Sequence, residues 1–208
     1  AAIKNGSYGK LMKAYYAKQD AEKLSGKGDT SQKLTLMKTS ADSLKKSADA
    51  LNDSSLWEKK KIKKKDEKTG EEIEVEDYDW DKITKAVKSF VEDYNDVVKE
   101  AGESNTKDVL RNASWMTGMT DKNSNMLAKI GITIGKGNKL ELDEDALKQA
   151  DISSLKTVFT GYNSFVSKIS QKATGISNAA NRASATYTNN GTYSKTDSSL
   201  TSSKIDKE

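Results

Sequence analysis

Three stretches decide the fold of this chain: AVKSFVEDYNDVVKEA at residues 86–101, LAKIGITIGKGNKLELDEDALKQA at 127–150, and VFTG at 158–161. The first repeats apolar residues at steps of three and four, which is typical of a helix with one apolar face. The second alternates apolar and polar residues on both sides of GKGN, which predicts a small hairpin at 132–142. Asp143 is placed to cap the helix that follows this hairpin.

The same helical spacing occurs upstream, from residue 34 to residue 51. Each of the two helices has one narrow apolar seam, which it can bury only against a partner. We expect the two helices to pack antiparallel, and an earlier helix from about residue 7 to residue 24 to join them. The residues of this helix-packing seam are Leu34, Met37, Leu44, Leu51, Ile83, Val87, Phe90, Tyr94 and Val97.

Between the two seams lies a strongly charged segment, with KKKIKKK at 59–65 and EEIEVED at 71–77. A loop at 67–70 would make this segment a β-hairpin in which Ile62 faces Val75 and lysines face glutamates. Opposite charges across neighbouring strands attract each other, whereas like charges repel. Charge therefore predicts the register of the hairpin.

We expect this charged hairpin to extend over residues 57–80, with Trp57 opposite Trp80. It is either a solvated tip that neutralises itself or a surface for a charged partner. In the second case the candidate binding residues are Lys59, Lys61, Lys63, Lys65, Glu72, Glu74 and Glu76.

The carboxyl-terminal part has a weaker helical pattern at 105–130, interrupted at Gly118, which predicts two short helices or one broken helix. Helical spacing then predicts one long final helix from Leu155 to Ala183. Residues 184–208 are rich in Ser, Thr and Asn without an apolar stripe, which predicts a disordered tail. The stripe of the final helix is a candidate assembly surface formed by Val158, Tyr162, Phe165, Ile169 and Ile176.

These patterns predict a mainly α fold: an elongated antiparallel helical bundle or coiled coil with two small β-hairpins. Residues 1–104 would form a bundle that carries the charged hairpin. Residues 105–183 would add the broken helix, the small hairpin and the final helix, packed on that bundle.

Composition excludes several functional classes. Hydrophobic residues make up 34% and charged residues 32%, which favours long helices with thin cores. The chain has no Cys and no His, so zinc sites, thiol catalysis and Ser-His-Asp arrangements are excluded. Its 35 basic and 31 acidic residues nearly balance, unlike the concentrated positive charge of a general nucleic-acid binder. We expect no enzyme activity, no catalytic residues, no metal, no cofactor and no nucleic-acid partner.

Two local motifs have simpler explanations than ligand binding. The GKGNK turn at 135–139 lacks the longer glycine-bounded span and the Lys-Ser or Lys-Thr of a phosphate loop. The acidic run at 141–145 lacks the alternating ligands and central glycine of a calcium loop, and helix capping explains it.

Four motifs together resemble the carboxyl-terminal part of the flagellar hook-associated protein 2 family, the filament cap of bacterial flagella. They are F-V-x-x-Y-N at 90–95, L-x-x-I-G-I-T at 127–133, the L-x-L-D-E-x-x-L pattern at 140–147, and VFTG at 158–161. In the family the third motif begins two residues earlier with glycine, as G-x-L-x-L-D-E-x-x-L, and Asn138 stands at that glycine position here. The family's large β-rich middle domain and the amino-terminal helix that pairs with the carboxyl-terminal one are not found. Two amino-terminal helices and the charged hairpin stand in their place, so the resemblance is to a reduced form.

The resemblance implies a non-enzymatic, exported structural protein that assembles through helix packing with flagellar axial proteins or with itself. It implies an extracellular, flagellum-associated location, reached by an export route that needs no cleaved signal; a cytoplasmic location is the alternative. No stretch approaches the ~18 apolar residues of a membrane span, so we expect no membrane insertion. The alternative function is a helical surface or scaffold module that binds a charged partner through the hairpin.

Overall fold

The computed structural model describes residues 28–66 and 69–185, and this part is mainly α, with seven α-helices and two antiparallel hairpins. The expected helix at 7–24 and residues 186–208 of the expected tail lie outside the described residues, whereas residues 184 and 185, also expected in the tail, belong to the last helix. The helices are α1 (Ser31–Asn52), α2 (Trp80–Glu103), α3 (Lys107–Lys122), α4 (Ser124–Ala128), α5 (Glu144–Gln149), α6 (Ile152–Phe159) and α7 (Phe165–Ala185). The strands are β1 (Lys60–Lys65), β2 (Glu72–Asp77), β3 (Ile132–Ile134) and β4 (Leu140–Leu142).

Helices α1, α2, α3 and α7 form an antiparallel bundle. The start of α1 lies at the end of α2, where the Lys33 Nζ donates to the Glu103 carbonyl at 3.2 Å. Helix α7 runs antiparallel to α1, as shown by the hydroxyls of Ser170 and Ser177, which donate to Asp49 at 2.7 Å and to Asp42 at 2.6 Å. The antiparallel pairing expected for α1 and α2 is therefore present, and α7 adds a second antiparallel partner for α1.

Helix α3 completes the bundle by packing antiparallel to α7. The Arg182 guanidinium of α7 lies 3.4 Å from the Asp108 carboxylate at the start of α3. Farther along the pair, Gly175 lies against Asn112, so closely that an added Cβ would meet its Oδ1 at 2.6 Å. A glycine at this position lets the two helices approach each other.

The core of the bundle is one apolar cluster that includes residues on both sides of residue 104. A division of the chain at that residue stays a prediction. All of the expected seam residues are buried: Leu34, Met37, Leu44, Leu51, Ile83, Val87, Phe90, Tyr94 and Val97.

The helical segment at 105–130 is interrupted at a different residue from the one predicted. Gly118 lies inside α3, and the break comes at Asn123, whose N–H donates to the carbonyls of Met119 and Thr120 at 3.1 Å. An interior glycine costs a helix only about 1 kcal/mol, which packing readily offsets. The segment is therefore interrupted, as the prediction of two short helices or one broken helix requires, but the interruption lies at Asn123 and not at Gly118.

The prediction of one long final helix was wrong, because residues 160–164 separate α6 from α7. Gly161 adopts a φ of +98°, which a side chain would disfavour, and its N–H donates to Asn52 Oδ1 at 2.8 Å. Helix α7 then begins anew, with Ser164 Oγ accepting from the Ser167 N–H at 3.1 Å. The apolar spacing continues across the gap in the sequence, but Tyr162 is 82% exposed.

The charged hairpin has the predicted register, and the small hairpin is present where it was predicted. In the charged hairpin, Ile62 is opposite Val75, and Lys61, Lys63 and Lys65 are opposite Glu76, Glu74 and Glu72. In the small hairpin, Ile132 is opposite Leu142 and Ile134 is opposite Leu140. Asp143 caps α5 as predicted, accepting from the N–H groups of Asp145 and Ala146 at 3.0 and 2.9 Å.

The expected pairing of Trp57 with Trp80 was wrong, because the strands begin at Lys60 and end at Asp77. Trp57 belongs instead to a single-turn 3-10 helix at Ser54–Trp57, and Trp80 is the first residue of α2. The Asp53 carboxylate caps this short helix by accepting from the Ser55 N–H at 2.9 Å, so residues 54–57 are helical and do not extend β1.

Candidate interaction surfaces

The charged hairpin projects its two strands into solvent, with every residue of β1 except Ile62 exposed. Ion pairs join Lys63 to Glu72 at 3.7 Å and Lys64 to Asp77 at 2.5 Å. Hydrogen bonds from the Lys64 Nζ and from the N–H of the following tyrosine lower the pKa of Asp77. The two strands thus neutralise each other in part, while most of their lysine and glutamate side chains remain accessible.

The two faces of the hairpin differ in chemistry. One face carries only charged residues, Lys61, Lys63 and Lys65 on β1 and Glu72, Glu74 and Glu76 on β2. The other face carries the half-buried Ile62 and Val75 and Ile73, which is 40% exposed. A two-stranded ribbon with so little apolar cover is marginally stable alone.

The root of the hairpin is fixed on the bundle. Trp57 is fully buried and stacks on Phe159 of α6, with ring centroids 5.3 Å apart. Its Nε1 donates to the Leu51 carbonyl at the end of α1 at 2.8 Å. Beyond β2, the Asp79 carboxylate caps α2 by accepting from the Lys82 N–H at 3.0 Å. The hairpin is therefore held at its base, and its strands lead away from a rigid anchor.

The candidate assembly stripe lies mostly inside the chain. Val158, Phe165, Ile169 and Ile176 are buried in the core, and Phe165 contacts the Phe90 ring edge-on at a centroid distance of 6.3 Å. Tyr162 is the member of the stripe that is exposed. In the folded chain these side chains hold α6 and α7 against the bundle, so they are not free for a second molecule.

The motif around Tyr94 and Asn95 joins α2 to the carboxyl-terminal elements. The Tyr94 hydroxyl and Thr120 Oγ1 of α3 are 2.9 Å apart in a buried hydrogen bond. Burial raises the pKa of Tyr94 well above its usual range, so the phenol stays protonated. Asn95 binds the backbone of Leu140 twice: its Nδ2 donates to the carbonyl at 2.9 Å, and its Oδ1 accepts the N–H at 2.7 Å. Asn95 thereby fixes strand β4 to the bundle.

Gly131 forms the turn between α4 and β3, where only glycine fits. Its φ is +80°, and an added Cβ would lie 2.6 Å from the Asp143 carbonyl and 2.9 Å from the Leu147 nitrogen. Its own carbonyl accepts the Asp143 N–H at 2.8 Å. The glycine in the L-x-x-I-G-I-T motif is therefore explained by a positive φ and a close backbone approach.

Asp29 forms a polar clamp that sequence reasoning missed. It is 5% exposed and accepts the backbone N–H groups of Asn105 and Thr106 at 2.8 and 3.0 Å, as well as the hydroxyls of Ser104 and Thr106 at 2.6 and 2.7 Å. Burial by itself raises the pKa of Asp29, but these hydrogen bonds outweigh it and lower the pKa. The only sequence signal was an acidic residue beside the Thr30 helix cap.

Trp115 of α3 is 58% exposed, with the Lys172 Nζ 4.5 Å from its ring centroid. Within residues 28–66 and 69–185, no group of three metal-binding side chains converges. None of the described helices combines the length and hydropathy needed to cross a bilayer.

Comparison with protein families places the carboxyl-terminal half of the chain. A family model described as flagellar hook-associated protein 2 C-terminus matches residues 104–208, just over half of the sequence. Its described part contains α3 to α7, including the Gly131 turn. Neither the curated proteins nor the solved structures contain a match to this chain.

Proposed function

The chain belongs to the flagellar hook-associated protein 2 family, and we propose that it is an exported, non-enzymatic structural protein of the bacterial flagellum, related to the filament cap. The observation that carries this proposal is the family match over residues 104–208. Members of this family are structural flagellar proteins, which also supports an extracellular, flagellum-associated location.

The buried seams suggest how such a protein works. The apolar faces of α1, α2, α3 and α7 are satisfied within one chain, so the subunit is a stable helical unit before it meets others. Contacts with axial proteins or with other copies then use the outer helix surfaces. Trp115 supplies exposed aromatic area on α3, and Tyr162 supplies more in the connection between α6 and α7; large amphipathic rings are enriched at protein interfaces.

Deleting the gene in the bacterium that encodes it tests the proposal. We expect the protein in the culture medium or on filaments of the parent strain, dependent on the flagellar export apparatus, and we expect shortened or absent filaments after deletion. Electron microscopy and immunoblots of the medium measure both outcomes. Normal filaments in the deletion strain, with the protein retained inside cells, would refute the proposal.

Two glycine variants test whether complementation of the deletion requires the folded structure of the chain. Gly131→Ala places a Cβ against backbone atoms and should fail to complement the deletion. Gly102→Ala is the matched control, because a Cβ there has nothing within 4 Å, and it should complement fully.

A second candidate function rests on the exposed hairpin: a scaffold module that binds a charged partner through Lys59, Lys61, Lys63, Lys65, Glu72, Glu74 and Glu76. Salt distinguishes the two functions, because screening weakens contacts between exposed charges while apolar helix packing persists. Binding of axial proteins that survives about 0.5 M salt favours the first function.

A further inference from the structure

The charged hairpin has two outer edges of opposite sign. Strand β1 carries Lys60, Lys61, Lys63, Lys64 and Lys65, whereas strand β2 carries Glu72, Glu74, Glu76 and Asp77. Within the described residues, each hairpin is a sheet of two strands only, so no third strand pairs with either edge. An edge strand offers unpaired N–H and C=O groups to any strand of suitable sequence.

The backbone hydrogen bonds show which residues offer these groups. The Asp66 N–H donates to the Glu71 carbonyl at 2.9 Å, so residues 66 and 71 form a hydrogen-bonded pair at the end of the hairpin. Bonded and non-bonded pairs alternate along an antiparallel ladder. The N–H and C=O groups that point outward therefore belong to Lys61, Lys63 and Lys65 on one edge and to Glu72, Glu74 and Glu76 on the other.

We propose that the basic edge of β1 pairs with the acidic edge of β2 in a second copy of this chain. Lysines alone on an edge would keep copies apart, which is how many proteins protect their edges. Here the second edge carries the opposite charge, so the same lysines attract it. The proposal rests on the proposed structural function and assigns it one self-association surface.

The geometry makes this contact repeatable. Strands β1 and β2 are antiparallel, so two copies in the same orientation place β2 of one beside β1 of the next as a further antiparallel pair. The contact is head-to-tail, and such contacts produce rings if the rotation closes and filaments if it does not. The ribbon also places Ile62, Ile73 and Val75 of adjacent copies side by side, which covers apolar surface that the single hairpin leaves accessible.

Cysteine cross-linking tests the pairing directly, because the natural chain contains no cysteine. Two full-length variants, Lys63→Cys and Glu74→Cys, are mixed in equal amounts at low salt and oxidised. Since the β1 edge meets only the β2 edge, we expect the disulfide-linked dimer of the two different variants to exceed either same-variant dimer well beyond the twofold excess of random collision. A random distribution, or no cross-linked product, would overturn the proposal. Replacing Glu74→Cys by Lys148→Cys, at an exposed position on α5, provides the matched control.

Sedimentation velocity of the full chain provides the second measurement. In the proposed contact, the three lysines of one β1 edge face the three glutamates of the β2 edge in the next copy. The loss of three such ion pairs, each worth about 0.2–1 kcal/mol, predicts an association constant that falls roughly 3- to 150-fold when salt rises from about 0.05 to 0.5 M. Lys63→Pro removes an outward N–H and should abolish association, whereas Lys63→Gln keeps this donor and should weaken association only partly. Association that is indifferent to Lys63→Pro would refute edge pairing while leaving the flagellar function intact. Normal filaments in the deletion strain, together with intact edge pairing, would refute the flagellar function and leave the edge pairing standing.

Discussion

Replacing Asn95 by alanine tests whether this side chain fixes the small hairpin to α2. The side chain makes two hydrogen bonds to the Leu140 backbone, at 2.9 and 2.7 Å. Each such bond contributes about 0.5–1.5 kcal/mol net, so the loss is about 1–3 kcal/mol. Alanine has the higher helix propensity by about 0.5 kcal/mol, which offsets part of the loss. We therefore expect Asn95→Ala to lower the free energy of unfolding by about 0.5–2.5 kcal/mol.

Urea unfolding measures this free energy, and hydrogen exchange of the Leu140 amide localises the effect. Glu92→Ala, an exposed position three residues earlier on the same helix, is the control and should leave both readouts unchanged. Unchanged protection of the Leu140 amide in Asn95→Ala would refute the reasoning, even if overall stability fell.

Asn95→Asp adds a test of geometry through pH. The new carboxylate still accepts the Leu140 N–H, but it faces the Leu140 carbonyl, where an amide now donates. A protonated carboxyl can donate to that carbonyl, so folding should raise its pKa above the unfolded value of about 3.9. This stabilisation is present at low pH and is lost as pH rises through the folded pKa. Relative to the natural chain, a variant that gains no stability on acidification would contradict the assignment.

Three further substitutions have expected outcomes. Gly102→Ala should be neutral or stabilising by about 0.5–1 kcal/mol, and Gly175→Ala should be about 1–3 kcal/mol less stable than Gly102→Ala, because its Cβ would meet Asn112 Oδ1 at 2.6 Å and displace a side chain that donates to the Asp108 carbonyl. The pKa of Asp29 is lowered in the folded state, so its contribution to the free energy of unfolding is present above the unfolded pKa of about 3.9 and is lost as pH falls through the folded pKa. Asp29→Asn should therefore be less stable than the natural chain near pH 6, and urea unfolding between about pH 2 and 6 should show this difference shrinking as the pH falls. Trp57→Phe should cost about 1–3 kcal/mol in thermal or urea unfolding, because it leaves the buried carbonyl at the end of α1 without its indole donor.

The parts of the fold that were predictable are those with local causes. The register of the charged hairpin follows from the alternation of apolar and charged residues and from the attraction between lysines and glutamates on opposite strands, and the structure has that register. The Asp143 cap needs only a carboxylate two and three residues before free N–H groups. The break after α6 was not predictable from apolar spacing, because Tyr162 continues the helical period while Gly161 turns the chain.

The interaction surfaces were only partly predictable for the same reason. The charged hairpin is exposed, and its charges lie where the sequence places them. The stripe of Val158, Phe165, Ile169 and Ile176 reads the same in sequence whether it faces its own bundle or another molecule. Only the tertiary structure buries it inside the chain.

By itself, the amino-acid sequence determined the helices with apolar seams, the two hairpins together with the register of the charged one, and the motifs of the family, because periodicity and charge act between near neighbours. The tertiary structure alone decided that α7 packs against both α1 and α3, that Asp29 binds the backbone beyond α2, and that Asn95 binds a strand 45 residues away. An apolar seam requires a partner but does not encode which one. Partner choice emerges only when all seams are packed and every buried polar group is satisfied at once.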